Sequence, residues 1–70
     1  MITILLKEVA EAKGRKMYHV QKQTGLDIGL IRRYWRNETT SVDLRYLDRL
    51  CAYLGVTPGD LLRYDEPTAN

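Results

Sequence analysis

Residues that end helices and residues that start helices alternate at short intervals along this chain of 70 residues. Gly14, Gly25 and Gly55 can take the left-handed backbone that commonly follows the last turn of a helix. Asp27 and Asp43 have carboxylates that can accept hydrogen bonds from the free N–H groups of a helix start. These signals divide the chain into several short helices.

The signals predict helices at residues 5–13, 17–24, 28–36 and 44–54. A last short helix is predicted after Thr57, with Pro58 at its first position and a capping-box-like spacing. Strand signals are confined to residues 1–4, which predict an extended arm or a short strand. The chain is therefore predicted to be all-α, with one five-helix domain at residues 1–64 and a flexible tail at residues 65–70.

Apolar residues recur at helical spacing and define a predicted core. The core is thin, because a chain of this size buries only about 60% of the surface that its unfolded form exposes. The clearest stripe lies on the fourth helix. The side chains expected to point inward are Leu5, Leu6, Val9, Ala12, Met17, Val20, Thr24, Ile31, Leu44, Leu47, Leu50, Cys51, Leu54, Leu61 and Leu62, with Tyr34 and Trp35 packing against the fourth helix.

Composition excludes several classes of protein. Cys51 is the only cysteine, so no internal disulfide can form, and a reducing, cytoplasmic location is expected. No apolar run is long enough for a membrane span, and residues 1–6 lack the basic start of a signal peptide. His19 has no cysteine or second histidine for a metal site. No nucleophile with a partnered base appears, so neither a cofactor nor enzymatic activity is expected.

Charge is distributed unevenly between the two halves of the chain. Residues 1–36 contain eight basic and three acidic residues, a net charge of +5, whereas residues 37–70 have a net charge of −3. The whole chain has a formal net charge of only +2. The asymmetry is typical of a surface that faces a polyanion, although an ordinary solvated surface gives the same pattern.

The second and third predicted helices form a pair joined by a short turn at Gly25, with Asp27 capping the later helix. A helix, a tight turn and a crossing helix make up the unit that many proteins place in the DNA major groove. Arg32 and Arg33 lie one turn beyond the start of that later helix. An arginine can donate two hydrogen bonds to guanine or clamp a phosphate, so we expect Arg33 to contact base edges and Arg32 to contact a base or the backbone.

The start of the same helix is slim, because Ile28 is followed by Gly29. A glycine inside a helix costs about 1 kcal/mol relative to alanine, so its presence asks for a reason. Close approach to a base pair or phosphate is one reason, and a merely tolerated surface glycine is the other. Residues expected to hold the sugar-phosphate backbone are Lys16, Met17, Tyr18, Arg36, Asn37, Thr39, Thr40 and Arg45.

Across about residues 5–62 the chain resembles the lambda-repressor-like helix-turn-helix regulators of the xenobiotic-response-element (Cro/CI-like) type. The resemblance implies five packed helices, of which the second and third contact DNA. The residues that carry it are Gly14, Val20, Thr24-Gly25-Leu26, Ile31, Arg33, Asn37, Leu44, Leu47, Leu50, Leu54-Gly55-Val56 and Pro58-Gly59-Asp60-Leu61-Leu62. By position, the resemblance implies base reading by Asp27, Ile28, Gly29, Arg32 and Arg33, and backbone contacts by Met17, Arg36, Thr39, Thr40 and Arg45.

The expected partner is double-stranded DNA with a palindromic operator, bound in the nucleoid by a homodimer that forms at least on DNA. Residues 1–6, by pairing strand edges, or the exposed face of the last two helices are the expected dimer contacts. Two alternatives stay open. One is an antitoxin that also binds a protein toxin. The other is a protein-interaction module, which the low net charge and the departures from the family pattern at Lys16, Met17 and Gln21 favour.

Overall fold

Five helices and two short strands make up residues 1–66, the part of the chain that the computed structural model describes. The elements are β1 (Ile2–Ile4), α1 (Leu6–Ala12), α2 (Met17–Thr24), α3 (Ile28–Trp35), α4 (Leu44–Leu54), α5 (Pro58–Leu61) and β2 (Leu62–Tyr64). The predicted five-helix fold with a short N-terminal strand is confirmed. The predicted bounds of α2 and α4 match the observed ones, whereas α3 ends one residue earlier than predicted.

The predicted start and stop signals act locally. Gly25 and Gly55 have left-handed backbones, with φ of 72° and 69°, and end α2 and α4. Asp43 starts α4, because its Oδ1 accepts a hydrogen bond of 2.8 Å from the backbone N–H of Arg45. At α5 the Asp60 carboxylate accepts from the Thr57 backbone N–H at 2.9 Å, and this bond lowers the pKa of Asp60.

Strand β2 was not predicted from the sequence. It pairs antiparallel with β1, with Ile2 opposite Tyr64 and Ile4 opposite Leu62. A three-residue strand has little propensity of its own and exists here because β1 supplies its partner. The flexible tail at residues 65–70 remains a prediction, since residues 67–70 lie outside the described part, while the Asp65 N–H still donates to the Met1 carbonyl at 2.8 Å.

The core joins all five helices. Its fully buried side chains include Leu6 from α1, Val20 from α2, Ile31 from α3, Leu50 from α4 and Leu61 from α5. Around them pack the other buried residues, which are Ile4, Ala10, Leu26, Tyr34, Leu47 and Leu54. Within residues 1–66, no helix is both long enough and apolar enough to cross a membrane.

Two predicted core positions are wrong. Leu44 is 77% exposed, because it is the first residue of α4 and lies beyond the end of the core. Ala12 is exposed at the end of α1, where Ala10 is buried instead. The inward packing of Tyr34 and Trp35 is confirmed. Tyr34 is buried, and its hydroxyl oxygen accepts the backbone N–H of Asp43 at 3.3 Å.

Asn37 connects the sheet to the end of α3. It has the left-handed backbone predicted for it, with φ of 56°. Its Oδ1 accepts a hydrogen bond of 3.0 Å from the backbone N–H of Ile4, which lies 33 positions away in the chain. The backbone of Asn37 therefore follows the end of a helix, while its side chain holds β1.

Replacing Asn37 separates these two roles. Asn37→Gly removes the hydrogen bond but keeps an easy left-handed backbone, so the free energy of unfolding should fall by about 1 kcal/mol. Asn37→Ala removes the bond and adds a left-handed Cβ, which costs a further 1 kcal/mol or so. Chemical denaturation measures both losses. Equal losses for the two variants would contradict the backbone argument.

Candidate nucleic-acid interface

The turn between α2 and α3 is held by polar side chains of α2. The Gln21 side-chain amide donates to the carbonyl of Leu26 at 3.0 Å, and the Thr24 hydroxyl oxygen accepts from the backbone N–H of Leu26 at 3.4 Å. Leu26 itself is buried. In the sequence, Gln21 stands out only as a departure from the family pattern. The signal that could have revealed its hydrogen bond to the turn was an amide side chain on the helix that leads into that turn.

The start of α3 is capped by Asp27, as predicted. One carboxylate oxygen, Oδ2, accepts from the backbone N–H of Gly29 at 2.9 Å and from that of Leu30 at 3.2 Å. A Cβ added at Gly29 would lie 2.9 Å from the same oxygen. The cap therefore supplies a further reason for Gly29, because the carboxylate would have to shift to make room for a larger residue.

The faces of α3 are sharply different. Ile31 and Tyr34 are buried, whereas Arg32 and Arg33 are exposed on the opposite side, followed by exposed Arg36 at the end of the helix. Within residues 1–66, none of these three guanidinium groups has a side-chain hydrogen bond or ion pair. The helix thus presents three positive groups that are available to a ligand.

The start of α2 contains the predicted backbone contacts Lys16, Met17 and Tyr18. Lys16 is exposed and extended, and its side chain does not cap the helix. Met17 is half-buried and packs against the core, so its outward-facing group is the backbone N–H. Tyr18 is 57% exposed, and its ring centroid lies 4.7 Å from that of His19.

The predicted contacts after α3 differ in how far their side chains are already used. Thr39 donates its hydroxyl to the Ser41 carbonyl at 2.7 Å, and Asn37 bonds to β1 as described above, while Thr40 is exposed. Arg45 forms an ion pair of 2.9 Å with Asp43. Hydrogen bonds from the Arg45 side chain and backbone lower the pKa of Asp43 to about 2.

Other chemistry is not supported by the described residues. Among residues 1–66 no three His, Cys, Asp or Glu side chains are grouped closely enough to hold a metal ion. Burial raises the pKa of the Cys51 thiol, which makes it a poorer nucleophile than an ordinary exposed cysteine. This agrees with the prediction that Cys51 packs against the core.

Comparison with known proteins identifies the class to which this fold and surface belong. Residues 5–67 match the sequence profile of the Cro/C1-type helix-turn-helix DNA-binding domain, and the chain belongs to that family. The structure is similar to a crystal structure of a "putative DNA-binding protein" from Bacteroides fragilis, with a TM-score of 0.79 and 25% identity, covering 90% of this chain and 100% of that chain. A search of curated proteins gave no significant match. The resemblance drawn from the sequence is thereby confirmed.

The cap and the glycine of α3 should be coupled energetically. In the native chain, Gly29→Ala makes the Asp27 carboxylate shift and weakens the cap, which should offset part of the gain of about 1 kcal/mol that alanine brings to a helix. In an Asp27→Ala background the displaced group is absent, and the same Gly29→Ala change should stabilise the fold. Denaturation of the four proteins in this cycle measures the coupling, and strict additivity would refute it.

Proposed function

We propose that this protein is a non-enzymatic regulator that binds duplex DNA in a sequence-specific way, with α3 in the major groove. The observation that carries the proposal is the exposed face of α3, where Arg32, Arg33 and Arg36 lack side-chain partners within residues 1–66. Membership of a DNA-binding family gives this basic face its ligand class. The B. fragilis relative, named for DNA binding, adds support.

The proposed roles follow from position. Asp27, Ile28 and Gly29 lie at the tip of α3, and Arg32 and Arg33 lie one turn further along its exposed side. In this arrangement the tip and the two arginines contact base edges in the groove. Polar and basic residues beside the groove, together with the backbone N–H of Met17, fix the register of the protein on the sugar-phosphate chain. They are Lys16, Met17, Tyr18, Arg36, Asn37, Thr39, Thr40 and Arg45.

The core supports the rigidity that such a role needs. Ile31 is fully buried and Tyr34 almost so, and both belong to α3 itself. A helix anchored in the core holds its arginines in fixed register, so discrimination between bases is not lost to side-chain and helix motion. The proposed site of action is DNA in the cytoplasm, within the nucleoid.

Selection from a randomised duplex pool, followed by fluorescence anisotropy over a salt series, tests this proposal. The native protein should enrich one palindromic sequence, with affinity that falls steeply as salt rises. Arg33→Ala should lose about 1–3 kcal/mol of discrimination at one base pair. Arg36→Ala should reduce the salt slope by about 0.9 without changing the preferred sequence.

The matched control is Lys7→Ala, which removes one positive charge from an exposed position on α1 outside the helix-turn-helix. The Lys7→Ala variant should enrich the same sequence as the native protein and should rank the sequences of the pool in the same order. If no duplex binds even at low salt, the proposal fails, and the fold acts as an interaction scaffold. Co-purification of a toxin-like partner with retained DNA binding would instead favour the antitoxin alternative.

We also propose that two copies bind one palindrome and that β1 supplies the contact. The bonds from the Leu5 N–H to the Leu61 carbonyl and from the Asp65 N–H to the Met1 carbonyl fix the pairing pattern of the sheet. In that pattern the N–H and C=O of Ile2 point away from β2, toward an outer edge that is open at Ile2, while the N–H of Ile4 on the same edge already donates to Asn37. An antiparallel pair of such edges is related by a two-fold axis, which matches a palindrome.

The surface beside this edge is mostly apolar. A groove of about 670 Å³ runs along β1, the 37–42 loop and the start of α4, and among residues 1–66 no Asp, Glu, Lys or Arg side chain lines it, although the loop contributes polar side chains. Met1, Ile2 and Leu44 line this groove and are exposed by 78%, 65% and 77%. Covering side chains of this kind is worth about 1.5–3 kcal/mol each when burial is complete.

Sedimentation velocity over a concentration series tests the dimer. The native chain should associate, and Ile2→Lys or Leu44→Lys should shift it toward monomer by placing a charge in the contact. Tyr18→Lys is the matched control, since it adds the same charge at another exposed apolar residue, on α2. A native chain that stays monomeric at high concentration and binds a palindrome as a single copy would exclude the dimer.

A further inference from the structure

The tip of α3 presents one outward side chain of appreciable size, and that side chain is apolar. Ile28 is the first residue of the helix and is 37% exposed. Its neighbour Gly29 has no side chain. The preceding residue, Asp27, folds its carboxylate back onto the helix. A ligand that meets the outward side of the tip therefore meets the hydrocarbon of Ile28, with the Asp27 carboxylate fixed beside it.

The Asp27 carboxylate is held in place and makes the tip unfavourable for guanine. It cannot turn toward a base without lengthening the bonds from the Gly29 and Leu30 N–H groups to its Oδ2. In the major groove guanine presents two acceptors, O6 and N7. A fixed negative carboxylate beside those acceptors is repulsive, so guanine is better placed one turn along, beneath Arg32 or Arg33.

Only one feature of the base edges matches an exposed isoleucine. Thymine carries a C5-methyl group in the major groove, and the other three bases present only polar atoms or ring hydrogens there. Contact between this methyl and Ile28 removes apolar surface of both from water. A longer residue at position 29 would lie next to this contact, and Gly29 leaves that space open.

We propose that Ile28 is a specificity-determining residue that recognises the C5-methyl group of a thymine at the end of α3. This inference rests on the proposed DNA-binding function and adds the identity of one base to it. Each half of the palindrome then contains a thymine that faces the tip of α3. The arginine contacts are made one turn further along α3.

Removing the methyl group alone tests the inference. Each thymine of the enriched duplex is replaced in turn by deoxyuridine, which keeps base pairing and loses only the C5-methyl. At one position per half-site this should weaken binding of the native protein roughly fourfold, as expected for one buried methyl-sized group. Ile28→Ala should abolish the difference between thymine and deoxyuridine, and Ile28→Val, which keeps the branched Cβ, should retain part of it.

The controls separate this inference from the proposed function. Ile28→Ala must keep the native salt slope and a cooperative thermal transition, since the residue lies at the edge of the fold. An enriched site without thymine, no position sensitive to deoxyuridine, or a sensitivity that persists in Ile28→Ala would each overturn the methyl contact while DNA binding stands. Failure to bind any duplex at low salt would overturn both.

Discussion

The burial of Ile31 and Tyr34 fixes the position of α3, and the rest of the structure is arranged around that constraint. This helix of eight residues supplies core side chains on one side and arginines on the other. The flanking helices pack against its inner face. The Tyr34 hydroxyl also reaches the N–H of Asp43, which starts α4. Moving α3 would therefore disturb the core and the next helix together.

Capping carboxylates place negative charge close to a basic surface. Asp27 and Asp43 cap α3 and α4, and hydrogen bonds from Arg45 lower the pKa of Asp43 to about 2. Both groups favour their helices, since a carboxylate near a helix start complements its dipole. Near a phosphate chain the same charges are repulsive, and the Arg45 ion pair offsets one of them. The low net charge of the chain is therefore partly due to the carboxylates that cap its helices. It does not argue against a surface that binds a polyanion.

Signals within a few residues were sufficient to predict most of the helices. Elements that depend on distant parts of the chain could not be predicted from such signals. The bounds of α2 and α4 follow from glycines and capping residues that act within a few positions. Strand β2 depends on a partner at the other end of the chain, so no local pattern revealed it. Leu44 fits the apolar stripe of α4, but periodicity cannot tell where the core stops along a helix. For the candidate interface, the sequence indicated the arginines of α3. The role of Gln21 was not predicted, because it depends on the path of the turn between α2 and α3.

The pairing of β1 with β2 brings Met1 and Asp65 side by side. The helices between them are held by hydrogen bonds between residues that lie only a few positions apart. Closing a loop that spans nearly the whole chain carries the largest entropic cost of any contact in the fold. The helices should therefore assemble first during folding, with the sheet completed afterwards. The adjacency of Met1 and Asp65 also makes the topology suited to circular permutation, in which a short linker joins the two strands and the chain opens elsewhere. In such a permutant the strands would become a local hairpin, and the order of assembly would change without a change of fold.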